Sequence, residues 1–407
     1  MFRAPRRKSG ASTASSAKGC IRPEVSRQTL VSIKLFYSAC QLLFSLLLLT
    51  ALAGRCQDGS GPKLSNFIRV EAWPEADKLF HSNSNWLGGD DAYSIDLGDQ
   101  RVLWLFGDSF IATSSSHTRK QSVLVNNSVA IESGYDPSHA SIQFYWRTQN
   151  GKPLSFFPGN QGTWYWPGHG IVVRDKLFIF LITVRETHEG LGFELTGWAI
   201  VAVPNFRSPP SQWELRFVQT PASKFHFFPS GPILRASDFI YAFSYQDPGF
   251  NISLVRWPVA DVENEDFSRP EWWNGKAGWV LQKDLGQAPA KLAGDGQAEF
   301  TVSYQPDLKQ FLMIQVDGAG RADIAFRRAD ALTGPWTPLQ AFYRPTEYQI
   351  PDIMIYAAKA HPELRGSQLV LTYATNKFKL QEVLATPDLY YPRFLKASVN
   401  PKPQSHD

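Results

Sequence analysis

Cysteine is scarce in this chain and absent from most of it. The 407 residues hold three, Cys20, Cys40 and Cys56, and none follows. Beyond residue 56 this excludes disulfides, thiolate nucleophiles and cysteine-ligated zinc. A domain without disulfides must be held by its own core. Charge is also sparse, at 19% of residues, and the formal net of +4 hides an asymmetry. Residues 1–55 carry nine of the 41 Lys and Arg but one of the 37 Asp and Glu, leaving 32 bases against 36 acids elsewhere. A mildly acidic body does not attract phosphate backbones over long range. With no basic patch, zinc spacing or phosphate-cradling Gly loop, nucleic acid is not expected as a partner. Long amphipathic helical patterns are missing. So are Gly-x-Ser-x-Gly, His-Glu-x-x-His and any Cys–His pairing, which leaves serine, zinc and cysteine hydrolases without motif support.

One long apolar run is present, LFYSACQLLFSLLLLTALA at 35–53. It follows a basic, Ser-rich stretch and ends in Ala51-Leu52-Ala53, a small-x-small cleavage pattern. It is also close to the ~20 apolar residues that span a bilayer. A cleaved signal and an uncleaved anchor both fit. Basic residues on its N-terminal side put the rest outside the cytoplasm either way, secreted or in the cell envelope. Membrane contact is expected only through this segment. Lipid attachment at Cys56 is disfavoured by the bulky, charged Arg55 before it. The expected organisation is a basic leader over 1–56, one β domain over 57–396, and a disordered tail over 397–407. Asn126-Asn127-Ser128 and Asn251-Ile252-Ser253 fit the glycosylation sequon, a pattern that arises by chance in a chain this long.

What the chain has in quantity is short β-like runs, rich in aromatic and β-branched residues and separated by turn signals. The clearest hairpin joins 92–97 to 101–107 through Gly98-Asp99-Gln100. Four more are read at 170–174 with 177–184, 231–236 with 239–245, 299–305 with 310–316, and 353–360 with 368–375. Further strands are read at 197–203, 252–258 and 324–328. Five irregularly spaced hairpins of this kind predict an all-β, five-bladed propeller, with a β-sandwich as the competing architecture. The Pro-rich stretches 204–210, the region of Pro270 with Trp272-Trp273, and 335–351 read as loops.

The sharpest chemical feature is in the first hairpin. Asp90 and Asp108 are equidistant from the turn centre at Asp99, so an antiparallel register sets them opposite each other at one rim. Opposed residues have Cα atoms about 4.5–5.5 Å apart. Two carboxylates so close cannot both ionise freely, and one pKa must rise. That asymmetry is what glycosidic cleavage uses. Asp91 and Asp99 read more simply as turn and strand-end residues, with Asp91 also a candidate substrate contact. Trp104 reads as core, whereas Trp86 and Trp166, beside Gly and Pro loops, are candidates to stack on a sugar ring. His169 starts the inner strand of the second hairpin. It reads as a substrate contact or a hydrogen-bonded rim residue. Glu299, at the start of the fourth hairpin, is a further catalytic carboxylate, and Lys359 and His361 are candidate contacts from the fifth. His226 and Asp323 read as structural. No metal-ligand set is legible and no cofactor is expected, although a propeller channel could seat a structural cation.

Four segments carry a family resemblance: NWLGGDDAYSIDLGDQRVLWLFGDSF, YWPGHGIVVRDKLFIFL, EFTVSYQPDLKQFLMIQ with ADALTGPW after it, and YAAKAHPEL followed by LVLTYATN. Together they resemble a family of exported bacterial propellers, long known only as a domain of unknown function. That family is similar to the five-bladed glycosidases of glycoside hydrolase family 43 and includes endo-D-arabinanases. The resemblance runs from about residue 85 to 376. It implies glycoside hydrolysis at the propeller mouth, with the first carboxylate at Asp90 and the second at Asp108. The chain departs from the family 43 pattern at His169, where an acid is expected, and in the third hairpin, which offers none.

The expected activity is therefore hydrolysis of an extracellular or envelope polysaccharide, arabinan-like furanosides included, by a monomer. One of Asp90 and Asp108 would be nucleophile or base, and the other, or Glu299, the acid. Carboxyl separations of about 5–5.5 Å go with retention and about 6.5–9.5 Å with inversion, and opposed strands lean toward the shorter. The alternatives are a non-catalytic carbohydrate-binding propeller and, less favoured, a lyase or transferase using the same mouth.

Overall fold

The computed structural model describes residues 64–400, apart from 161, 189–191 and 223. Antiparallel hairpins, many of whose strands are near-continuous runs of buried residues, stack into five sheets around a common axis, a five-bladed propeller. Blade 1 runs outward through Trp86–Gly98, Arg101–Ala112, Ser128–Ser133 and Ser141–Tyr145. Blade 2 comprises Thr163–Val173, Lys176–Glu186, Phe193–Val203 and Arg216–Val218. In blade 3 the inner strand is split into Phe227–Phe228 and Ile233–Ala236. Phe239–Gln246, Ile252–Pro258, Glu271–Trp273 and Trp279–Leu281 follow. Blade 4 is Thr301–Gln305, Gln310–Asp317, Asp323–Ala329 and Gln340–Tyr343.

Blade 5 closes the ring. Its strands Ile353–Ala360, Leu369–Lys377 and Arg393–Val399 take their outermost partner from the other end of the chain, Ile68–Ala72. Ile68 pairs with Val399 and Ala72 with Leu395. Three expectations are corrected here. Within the stretch 335–351, read as loop, Gln340–Tyr343 is the outermost strand of blade 4. Residues 397–399 belong to a paired strand rather than to a tail. Trp272 and Trp273 lie in a strand of blade 3, where Trp272 is buried, rather than in a loop. In each case a local reading missed a pairing partner. The basic leader and the run at 35–53 lie outside the described residues.

The core is divided among the seams between blades. Trp86, Trp104, Phe106 and Phe394 fill the seam of blades 5 and 1. Leu103, Leu105, Ile179 and Leu181 fill that of blades 1 and 2. Similar apolar clusters occupy the other three seams. Burial of this kind contributes about 1.5–3 kcal/mol per large side chain. It explains how the domain dispenses with disulfides.

The five predicted hairpins are all present, as are the third strands of blades 2, 3 and 4. Besides the split inner strand of blade 3 and a register shift in blade 2 between Ile179 and Leu181, the inner strands of blades 1 and 5 depart from regular alternation. In blade 1 the ladder runs Gly89 to Ser109, Asp91 to Phe106, then Tyr93 to Leu105. Asp91 and Ala92 have left-handed φ of 68° and 61°. In blade 5 the register shifts between Tyr356 and Lys359, with Ala357 at φ 55°. Such residues cost about 1–3 kcal/mol each and persist where surrounding packing fixes them.

Candidate active site

Regular β alternation would point Asp90 and Asp91 to opposite faces. The irregularity at Asp91-Ala92 breaks that rule, and both residues engage blade 5. Asp90 Oδ2 accepts hydrogen bonds from the hydroxyls of Tyr356 (2.8 Å) and Tyr390 (2.9 Å). Asp91 Oδ1 lies 3.1 Å from Lys359 Nζ, and the Asp91 carbonyl accepts from that ammonium at 2.6 Å. Tyr356 and Lys359 are three apart, and the irregularity at Ala357 lets both reach blade 1.

Asp90 and Asp108 occupy the same rim, but the expected direct pairing is modified. The ladder holds the predicted register from Tyr93 to Asp96 and again at Gly89. Between these, Asp90 faces Gly107 and Asp108 together. A Cβ on Gly107 would stand 2.6 Å from Asp90 Oδ1, so the glycine leaves room for the carboxyl. Asp108 Oδ1 accepts from Trp166 Nε1 at 3.1 Å, and the Asn126 side chain also bonds to Asp108. Asn126 thus serves the site, and its sequon needs no glycan to explain it.

Electrostatics separates the two acids. Burial pushes Asp90 up to about 8, with Asp108 and Glu299 adding repulsion and the two tyrosine hydrogen bonds opposing. Burial also raises Asp108, to about 6, against the stabilising bonds from Trp166 and Asn126. Both carboxyls are raised, Asp90 the further, and as interacting neighbours they titrate together in two steps. Glu299 Oε1 lies 3.2 Å from Lys359 Nζ. Asp91 is raised chiefly by burial, with Lys359 opposing and Glu299 and Asp90 adding to the rise.

Several sequence-based candidates take different roles. Trp86 is fully buried, packs on Phe106 and Phe144, and donates to Ser128 Oγ at 3.1 Å, so no face is open to a sugar. Asp91, 6% exposed, and Lys359, with no exposed surface, form an internal ion pair and are not substrate contacts. Lys359 also lies 4.4 Å from the Tyr93 ring centroid. His361 is 1% exposed, with Nδ1 2.5 Å from Ser94 Oγ and Nε2 2.7 Å from Thr372 Oγ1. His169 joins three blades. Its Nδ1 accepts from the Ile233 N–H at 2.9 Å, which makes Nε2 the donor to the Ser94 carbonyl at 3.1 Å. Burial lowers its pKa to about 4, so it is a neutral staple rather than a proton donor. Trp86, Asp91, Lys359 and His361 became interior once the neighbouring blade packed against them, whereas His169 stays partly exposed between its two backbone partners. Trp104 is core, as expected, and Asp323 holds Arg344 in a two-point bond at 2.8 Å each.

Trp166 keeps its place beside Asp108, half-buried, with Phe193 edge-on at 4.8 Å and Trp164 at 6.3 Å. Sequence reading missed Tyr356, Tyr390, Asn126 and Phe193. Tyr356 had a signal, since it lies on the inner strand of the fifth hairpin. Tyr390 had none, because its segment is an excursion between two strands of blade 5. Among the described residues, no group of His, Cys, Asp and Glu is arranged to hold a metal ion.

The architecture has solved counterparts. A Bacteroides ovatus protein designated a candidate hydrolase superposes with a TM-score of 0.63 at 16% identity, over 81% of this chain and 90% of that one. The catalytic domain of a glycoside hydrolase family 62 α-L-arabinofuranosidase from Coprinopsis cinerea gives 0.43 at 13% identity, over 76% and 90%. An endo-arabinase from Bacteroides thetaiotaomicron gives 0.41 at 10%, over 77% and 94%. No curated protein matches the sequence. The model of one family covers residues 75–399, most of the chain and every blade strand but Ile68–Ala72, and this protein belongs to that family, the domain of unknown function DUF5005.

Proposed function

We propose that this propeller is a glycoside hydrolase in which Asp90 is the general acid and Asp108 the nucleophile or general base. One observation carries the reading: two carboxyls of one hairpin rim sit in different settings, Asp90 Oδ2 bonded by the phenols of Tyr356 and Tyr390 and Asp108 Oδ1 by the Trp166 indole, and burial raises Asp90 further than Asp108. As pH rises Asp108 loses its proton before Asp90 does, the division of labour that glycosidic cleavage requires. Both tyrosines donate to Oδ2 of Asp90, which leaves Oδ1 to carry the proton. That proton passes to the leaving glycosidic oxygen. Asp108 attacks the anomeric carbon or takes a proton from the water that does. Glu299, tied to Lys359, raises Asp90 through its charge and acts on the acid rather than on the sugar. Trp166 and Phe193 offer half-buried aromatic surface beside Asp108 for a sugar ring.

The substrate class is an extracellular or envelope polysaccharide, with furanosides such as arabinan the first to test. Export rests on the leader. The test is to incubate leaderless protein with a glycan panel and measure released reducing ends. D90N and D108N should each lose at least ~100-fold in turnover, the usual contribution of positioned acid–base groups. Binding without release by the unmutated protein would instead favour a carbohydrate-binding module. That second reading draws support from blade 3, whose inner-strand break at Phe228, Ser230 and Gly231 supplies no carboxyl.

A further inference from the structure

Arg119 is the most heavily committed side chain near the site. It is 7% exposed, on a short turn, Arg119–Gln121, between the second strand of blade 1 and Ser122–Val125. A guanidinium has five N–H groups, and here five backbone carbonyls receive them. Nε donates to Leu87 at 2.7 Å, on blade 1 three residues before Asp90. Nη1 donates to Val383 (3.0 Å) and Thr386 (3.1 Å). Nη2 donates to Pro387 (3.0 Å) and to Leu389. The last four acceptors belong to the excursion of blade 5 that contains the helix Leu380–Ala385 and ends at Tyr390. Phe110 and Tyr391 flank the guanidinium, at 5.5 and 5.3 Å from its carbon.

The excursion has little secondary structure to fix its end. Tyr390 itself has a left-handed φ of 65°, and its N–H bonds to the Thr375 carbonyl at 3.0 Å. Gly88 is shaped to the same contact. A Cβ there would stand 2.4 Å from the Tyr390 carbonyl oxygen and 2.9 Å from Arg119 Nη2. One end of the clamp thus holds the strand of Asp90, and the other holds the segment whose phenol bonds to Asp90.

We infer that Arg119 is a positioning residue, which sets the Tyr390 hydroxyl against Asp90 by fixing the carbonyls of residues 383–389 to blade 1. The inference rests on the reading of Asp90 as the acid only for its kinetic consequence. The groups facing Asp90 are Asp108 from blade 1, Glu299 from blade 4, and Tyr356 and Tyr390 from blade 5, with the Asp91–Lys359 pair beside it. Of these, Arg119 acts on Tyr390.

The experiment follows the Asp90 carboxyl by carbon-13 NMR in aspartate-labelled protein, its resonance identified by loss in D90N. Y390F should move the Asp90 midpoint up by about one pH unit, the value of one hydrogen bond to a charged group. R119K keeps the charge but can reach at most three of the five carbonyls. It should move the midpoint the same way, and R119K/Y390F should go no further than Y390F alone. G88A, whose methyl pushes on the Tyr390 carbonyl and on Arg119 Nη2 together, should reproduce the shift if R119K does not fold. A lowered melting temperature with an unmoved Asp90 midpoint in R119K or G88A would overturn the inference and leave Arg119 a structural brace. Glycan turnover is read in parallel. An unmutated protein that cleaves no glycan removes the hydrolase reading but leaves the NMR result, and with it the role of Arg119, to stand or fall separately.

Discussion

Tyr356, on the inner strand of blade 5, donates a 2.8 Å hydrogen bond to Asp90 on the inner strand of blade 1, across the seam where the ring closes. The two are 266 residues apart in sequence. The phenol stabilises the carboxylate, whereas burial and the charges of Asp108 and Glu299 destabilise it, and the second group prevails. The acid is therefore set by three blades at once.

Removing that phenol has a definite sign. Y356F takes away a bond that favours ionised Asp90, so the Asp90 pKa rises further. The descending alkaline limb of kcat/KM, expected near pH 8, should move to higher pH. A pH–rate profile on any cleaved glycan checks it, and a limb moving toward acid would contradict the balance described here.

Replacing the partner acid acts in the opposite direction. In D108N the repulsion on Asp90 is gone, so its midpoint should fall from about 8, as followed by NMR titration. The ascending acid limb near pH 6 should vanish with Asp108, together with most of the activity.

Lys359 is the cation shared by Asp91 and Glu299. K359M would leave two acids facing each other without it. Breaking a buried pair from one side costs about 3–5 kcal/mol. Denaturant unfolding should show a loss of this size. The double variant K359M/D91L, which removes both buried partners, should recover part of it.

Glu132 gives a test away from the site. It is fully buried, accepts from Trp104 Nε1 at 2.6 Å, and is raised from 4.5 to about 8, mainly by burial. A folded pKa above the unfolded value means stability present below pH 4.5 and lost progressively as pH rises through 8. E132Q keeps an acceptor for Trp104 and removes the titration. Its melting temperature should match the unmutated protein near pH 5 and exceed it at pH 9.

The closure strand can be cut. Deleting residues up to 73 removes Ile68–Ala72, the buried Trp73 and the stack of Phe67 on Phe326. Blade 5 would then expose the edge of Arg393–Val399, a site for unwanted pairing. The truncated protein should melt at lower temperature and aggregate on heating, measured by circular dichroism and light scattering.

Local sequence determined the hairpins, because alternation and turn residues act over a few positions. It also determined the rim shared by Asp90 and Asp108, since the turn at Asp99 sets the register on both sides of them. Tertiary structure alone decided what each candidate does. Rotation of blade against blade sealed Trp86, Lys359 and His361 into seams and gave His169 two backbone partners. It also brought Tyr356 and Tyr390 to Asp90 from the far end of the chain. Burial and long-range charge fix a carboxyl's proton affinity, and both depend on residues that no local pattern connects.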